Sequence, residues 1–338
     1  MRELTEKIIS ADNNNILIVS HINPDPDTVG SSLGLKYIFE KLNKTAYVVC
    51  DTKLNDRICG FFEIKPELDL FEIESSGFMP DYIICVDAAS VSQIGRLGDY
   101  YSDDFSQNKI DLVIDHHYTN TFYGKATYLD SQASATGEII FELAKELNLE
   151  INQAFAKNIY CAIICDSGSF RYSSTTAKTH LIASELVSTG FDFAKLNRLI
   201  YQNKSMAQIA VERLAYNSLK LCCDGKVAFI IITSEMKKDA GLEGVEIEGI
   251  NEIAKIVEGV EVGVVIKEAE SDENENGENL NTEIKTYHIS LRSNDYVNVA
   301  EIAADFSGGG HMRAAGCTYK GDIDILENEL VEKIARVL

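Results

Sequence analysis

Asn15-Ile-Leu-Ile-Val-Ser-His-Ile-Asn-Pro-Asp-Pro-Asp-Thr-Val-Gly30 runs from a short β-rich segment into a loop of ligand-type side chains. Asn15–Ser20 reads as a strand, and Pro24 and Pro26 stiffen the loop behind it. From Thr28 to Leu42 apolar residues recur at helical spacing, and Thr45–Cys50 is again strand-like. Tyr82–Asp87 and Asp111–Asp115 predict two more strands, each running into an acid at its C-terminal end. Apolar runs separated by helical patterns argue an α/β unit with a parallel sheet covered on both faces. Ligands bind such sheets beyond the carboxyl ends of the strands, which is where Asp87 and Asp115 fall.

Further along, helices are expected at Ser134–Leu147, Gln153–Cys165 and Thr176–Ser188, the last stopped by Gly190. Phe193–Leu221 is helical in pattern, charged, and free of Gly and Pro, so it predicts a helical connector. A second, smaller α/β unit follows, with strands at Val227–Thr233, Glu261–Lys267 and Ile284–Arg292 and helices near Val297–Phe306 and Asp324–Val337. The acidic run Glu268–Glu283 between two of those strands reads as a solvated hairpin loop. A length of 338 residues suits two such units, at about 150 residues per domain. The expected boundaries are 1–192, 193–222 for the connector, and 223–338.

The balance of 31 basic against 53 acidic residues, −22 in all, disfavours a protein that coats long duplex nucleic acid. It leaves room for a small phosphate substrate, because carboxylates gathered around divalent metals become locally cationic. The eight cysteines form no Cys-x-x-Cys pair and mostly sit in apolar runs, as buried reduced thiols do. No apolar run reaches the ~18–20 residues of a membrane span, and Met1-Arg-Glu-Leu does not open a signal peptide. A cytoplasmic protein with no membrane partner is expected.

His21, Asp25 and Asp27 lie close together on the first loop, and imidazole with carboxylates suits Mn²⁺-like ions. Taken alone, Pro-Asp-Pro-Asp is equally a turn with Asp at hydrogen-bonding positions. Asp115-His116-His117 shifts that balance, since one imidazole can bind a metal while the other moves a proton. Asp87 ends a neighbouring strand. Asp166 follows an apolar helix, where its charge opposes the macrodipole and calls for a cation. In the second unit, Gly308-Gly-Gly-His-Met-Arg-Ala-Ala-Gly316 suits a phosphate held at a helix N-terminus by exposed amides, His311 and Arg313. Arg292 adds a bidentate donor. His180 and His288 read as structural.

In order and spacing, HINPDPD, VDAAS, DHH and CDSGSF resemble the four motifs of the DHH phosphoesterase superfamily, and GGGHMRAAG resembles its DHHA1 C-terminal domain. The resemblance spans nearly the whole chain and is greatest to the nanoRNase/pAp phosphatase group. Asp166 is followed by Ser167 where Thr is common, and the Glu268–Glu283 run looks like an insertion. What the resemblance implies is a DHH catalytic domain, a DHHA1 substrate-binding domain, and an active site in the cleft between them. It implies two metals, Mn²⁺ first with Mg²⁺ or Co²⁺ as substitutes. His21, Asp25 and Asp87 would hold one, and Asp27, Asp87, His116 and Asp166 the other. His117, with Asp115 behind it, would stabilise or protonate the departing oxygen, and Arg292, Gly309, Gly310 and His311 would hold the far end of the substrate. The implied substrates are short oligonucleotides and nucleoside bisphosphates such as 3′-phosphoadenosine 5′-phosphate (pAp). A cyclic-di-AMP or pApA phosphodiesterase of the same family is the nearest alternative. A family II inorganic pyrophosphatase, which differs in its C-terminal domain, and an inactive nucleotide sensor stand further off. An isologous homodimer is the default for a soluble oligomer.

Overall fold

The computed structural model describes residues 1–9, 14–52, 54, 56–62, 77–98, 109–242, 245, 249–269 and 285–338, apart from the His311 side chain. Helix α1 (Arg2–Ile9) precedes β1 (Asn15–Val19), and the loop behind β1 turns into α2 (Pro26–Lys41). There follow β2 (Thr45–Val49), α3 (Asp56–Phe62), β3 (Tyr82–Val86), a 3₁₀ turn at Val91–Ile94, β4 (Leu112–Asp115) and β5 (Ala126–Leu129). Helices α4 (Thr136–Glu146), α5 (Gln153–Asp166), α6 (Ala177–Ser188) and α7 (Phe193–Asn197) complete the first unit with a π-helical turn at Arg198–Gln202. Contacts divide the chain into Met1–Asn203 and Lys204–Leu338.

The first sheet runs β2-β1-β3-β4-β5 with every pairing parallel. The central strands β1, β3 and β4 are apolar on both faces because both are buried. Ile16, Ile18, Ile84 and Ile114 pack under Leu35, Ile139 and Ile163 of the helices, while Leu17, Val19, Cys85 and Val113 pack against Ile94, Leu97 and Ile110. From β1 the order proceeds one way to β2 and the other way to β3. Chain crossovers therefore diverge above β1 and β3, leaving a crevice at their carboxyl ends. On one side of that crevice α2 approaches α5 closely: a Cβ at Gly30 would lie 2.5 Å from the Asn158 carbonyl oxygen.

The second unit contains α8 (Met206–Ser218), β6 (Lys220–Cys222), β7 (Val227–Ile232), α9 (Ser234–Asp239), α10 (Asn251–Lys255), β8 (Val262–Glu268), β9 (Lys285–Ser293), α11 (Val299–Ala304), β10 (Gly309–His311), β11 (Ala314–Gly321) and α12 (Ile323–Ala335). Its sheet runs β10-β11-β9-β8-β7-β6, with β7 and β8 parallel and the other neighbours antiparallel. Leu326, Leu330, Ile302 and Ala303 cover one face. Val211, Ala215, Ile253 and Ala254 cover Ala228, Ile230 and Val265 on the other.

The connector stretch is helical in two pieces: Asn203 is extended, and Ser205 starts α8 afresh with a capping box to Gln208. Two expectations are corrected. Leu221 belongs to β6. The glycine-rich run is no helix N-terminus. Gly309–His311 is a strand paired with β11, because glycines with small neighbours (Ala314, Ala315, Gly316) fit a tight antiparallel ladder and lack helix propensity. The acidic run Glu268–Glu283 lies, from 270 on, outside the described residues.

Candidate metal centre

Each acid or histidine singled out in the first unit stands at the end of an element facing the crevice. His21 follows β1. Asp25 is the N-cap of α2, its Oδ1 accepting from Thr28 N at 3.0 Å, with Pro26 in the first turn. Asp27, also in the first turn, is 1% exposed; it accepts from the Thr136 and Gly137 amides of α4 at 2.7 and 3.0 Å and from Ser31 Oγ at 2.9 Å. Asp115 ends β4 and precedes His116 and His117, and Asp166 is the last residue of α5.

Asp87 leaves β3 with φ of 60°, a left-handed conformation that few residues other than glycine adopt. Its amide donates to Ile114 O at 2.9 Å, tying it across to β4. Thr28 Oγ1 donates to one carboxylate oxygen at 2.6 Å and Thr136 Oγ1 to the other at 2.9 Å. The strained turn and the two threonines together fix both oxygens.

The imidazoles are oriented from behind. His21 Nδ1 lies 2.7 Å from Ile22 O and His116 Nδ1 lies 3.2 Å from Ala133 O. Because a carbonyl only accepts, both Nδ1 atoms carry the proton, and Nε2 presents a lone pair to the crevice. His21 Nε2 is 4.0 Å from Asp25 and 3.9 Å from Asp87. His116 Nε2 is 3.9, 3.6 and 3.5 Å from Asp27, Asp87 and Asp166. Such gaps are too long for hydrogen bonds but match two donors across a divalent ion with bonds of about 2.0–2.2 Å. Donor atoms of His21, Asp25 and Asp87 lie within 4.8 Å of one another, as do those of Asp27, His116 and Asp166 and those of Asp87, His116 and His117.

The electrostatics call for positive charge. Burial, and then the charge of Asp87, pushes the Asp27 carboxyl up to about 7. Burial and Asp25 push Asp87 up to about 7, and burial and Asp27 do the same to Asp166. Burial works against protonation of His116, yet Asp27, Asp87 and Asp166 raise its pKa. These carboxylates hold their negative charge with difficulty until a cation arrives. A set of imidazole and carboxylate donors without thiolates fits hard to borderline divalent ions.

His117 is held differently. Against burial, its bond to Asp115 and the charge of Asp87 raise it to about 9. Asp115 itself, although buried, is held low by hydrogen bonds from His117 and Asn120. Asp115 Oδ1 also accepts from the amides of His116 and His117 at 2.8 and 3.2 Å.

Sequence reasoning missed Thr28, Ser31, Asn120, Thr136 and Gly137. For Thr136 and Gly137 the one available signal, Ser134-Ala-Thr-Gly-Glu138, reads only as an ordinary helix start. Beyond Asp166, the residues Gly168, Ser169 and Phe170 all take left-handed φ of 58–64°. His180 stacks on Phe170 with centroids 5.0 Å apart, so its role is to pack that turn.

In the second unit Arg292 donates through Nη1 to Leu291 O at 3.0 Å. It is registered opposite Ala314, which is registered opposite His311, so Arg292, Ala314 and His311 form one row across β9, β11 and β10. Gly310 belongs to the next row, with Ala315 and Leu291, and Gly309 to the one after it, with Gly316 and Ser290. Gly310 has φ of 144° and leaves no room for a side chain, whose Cβ would meet Ala314 O at 2.5 Å, whereas a Cβ at Gly309 would meet nothing within 4 Å. Arg313 donates to Asn294 O at 2.7 Å and so pins a loop.

Residues 15–163 match the DHH family N-terminal domain, and residues 203–338 match the DHHA1 domain. The chain is 28% identical to the bifunctional oligoribonuclease and PAP phosphatase NrnA of Thermus thermophilus, over 99% of this chain and 94% of that one. It is 29% identical to the probable bifunctional oligoribonuclease and PAP phosphatase NrnA of Streptococcus mutans, over 93% and 91%. Its fold resembles the crystal structure of an exopolyphosphatase-related protein from Bacteroides fragilis, with a TM-score of 0.85 at 24% identity, covering 99% of this chain and 97% of that one.

Proposed function

This chain belongs to the DHH family, with a DHHA1 domain behind the DHH domain, and on that premise we propose that it hydrolyses short oligoribonucleotides and pAp. It is a hydrolase of phosphoester bonds. The observation that carries the reading is that Asp87 is shared by two histidine–carboxylate groups, 3.9 Å from His21 Nε2 and 3.6 Å from His116 Nε2.

His21, Asp25 and Asp87 would hold one divalent ion, and Asp27, Asp87, His116 and Asp166 a second. Bound there, the ions supply Lewis-acid polarisation of the phosphoryl group and a lowered pKa for water. We assign Mn²⁺ to both positions, with Mg²⁺ or Co²⁺ as substitutes, on the strength of the oxygen- and nitrogen-only donor set. His117, oriented by Asp115, gives a proton to the departing oxygen. Arg292, Gly309, Gly310 and His311 are the candidates to bind a second phosphate or the nucleotide end. The row that Arg292 shares with Ala314 and His311 supports that assignment, as does the open space at Gly309. Among the described residues no helix is long and apolar enough to cross a membrane, and all eight cysteines are free thiols, which supports placing the enzyme in the cytoplasm.

A substrate panel with Mn²⁺ tests the reading: pAp, di- to pentaribonucleotides, pApA, cyclic di-AMP and pyrophosphate, scored by product. Expected are AMP with phosphate from pAp, and mononucleotides from the short RNAs. Preferential turnover of cyclic di-AMP or of pyrophosphate would overturn it.

A further inference from the structure

The segment Ala133–Gly137 touches three of the six candidate ligands. Ala133 O takes the His116 Nδ1 proton, the Thr136 and Gly137 amides bind Asp27, and Thr136 Oγ1 binds Asp87. Something must hold that segment still. Ser134, Ala135, Thr136 and Glu138 are all 0% exposed, and no other side chain within this run is acidic. Ser134 Oγ donates to Glu138 Oε1 at 2.5 Å, folding the end of the loop back onto the first turn of α4. The other oxygen, Glu138 Oε2, is buried without a hydrogen-bond partner among the described residues.

A fully buried carboxyl group with one unmatched oxygen is costly, and apolar packing would serve stability better. Its bond to Ser134 nevertheless locks the residue that follows Ala133 and stands two before Thr136. We infer that Glu138 is a positioning residue of the metal centre: by fastening Ser134 it sets the Ala133 carbonyl and the helix-end amides, and through them the aim of His116 and Asp27. The inference rests on reading this site as a metal centre. Glu138 touches neither metal nor substrate in this role, so its loss should act on ion affinity. Groups that orient ligands from behind typically change affinity about 10- to 100-fold.

The test is Mn²⁺ binding by calorimetry, with the electron paramagnetic resonance spectrum of the bound ion recorded alongside. Glu138→Ala and Ser134→Ala should each weaken binding about 10- to 100-fold and broaden the spectrum. Glu138→Gln keeps an oxygen for the Ser134 hydroxyl and should bind within a few-fold of the original. Ser134→Ala removes a single hydroxyl and covers the case in which Glu138→Ala does not fold. Original affinity and spectrum in a folded Glu138→Ala or Ser134→Ala variant would overturn the inference. So would an equal loss in Glu138→Gln, which would tie the effect to charge rather than to the Ser134 bond. Absence of divalent-ion binding by the unaltered protein would instead overturn the metal-centre reading itself.

Discussion

Asp115 Oδ1 lies 2.7 Å from Nδ1 of His117, while its other oxygen accepts the Asn120 side-chain amide at 2.6 Å. With both oxygens engaged, Asp115 fixes the ring of His117 and keeps its protonated form stable. Removing that ring should spare the ions and harm the proton transfer. His117→Ala should lower kcat roughly 10²- to 10⁴-fold, the usual span for a lost proton-transfer group, with Mn²⁺ content by elemental analysis unchanged. Loss of an ion on substitution would reassign His117 as a ligand.

Asp87 stands between both donor groups, so its loss should strip more metal than the loss of a residue at one edge. Asp87→Ala should reduce bound Mn²⁺ and lower turnover by more than ~10²-fold, beyond the cost of an outer partner. Circular dichroism should show the fold retained. Full activity in this variant, or in excess EDTA, would remove Asp87 from the site.

Protein stripped of divalent ions should become more stable as pH falls. Asp27, Asp87 and Asp166 titrate near 7 when folded against 3.8 as the ordinary value, so the native state binds more protons between those limits. Their burden on stability is complete above about pH 7 and is relieved as pH drops towards 3.8. His117, raised to about 9 from 6.5, adds stability that is fully present below 6.5 and is lost as pH rises through 9. Melting temperatures of the stripped protein should therefore rise from about pH 9 down to about pH 4. Saturating Mn²⁺ should flatten the trend, because the ion competes with those protons. A stripped protein that melts higher at pH 8 than at pH 5 would contradict this.

Arg292→Ala should cost roughly 10- to 150-fold in kcat/KM for pAp or a dinucleotide, since a charge-assisted bond contributes about 1.5–3 kcal/mol. Bis-p-nitrophenyl phosphate offers no second phosphate and should lose much less. Equal losses on both substrates would make Arg292 a structural residue of β9.

The parallel sheet and the clustered acids were legible because the physics repeats itself: three strands buried on both faces are almost wholly apolar, and acids at their ends have few other reasons to be there. Thr136 and Gly137 were not legible, because a residue that donates through its backbone leaves almost no mark in composition. β5 escaped notice as four partly exposed residues, too short for a period to emerge. The Gly309–His311 strand was misread because glycine and alanine carry no pattern of their own, and the ladder that holds them is set by β9 two strands away.

Asp27 rides on α2 and Asp166 on α5, and between them the two helices meet where Gly30 faces the Asn158 carbonyl. The spacer is main chain against main chain, with no rotamer to yield. A single methyl group at position 30 would act as a shim, widening the mouth in which His116 faces both acids. The gauge of the ion pocket is thus cut by the smallest residue in the helix, one with no chemistry of its own.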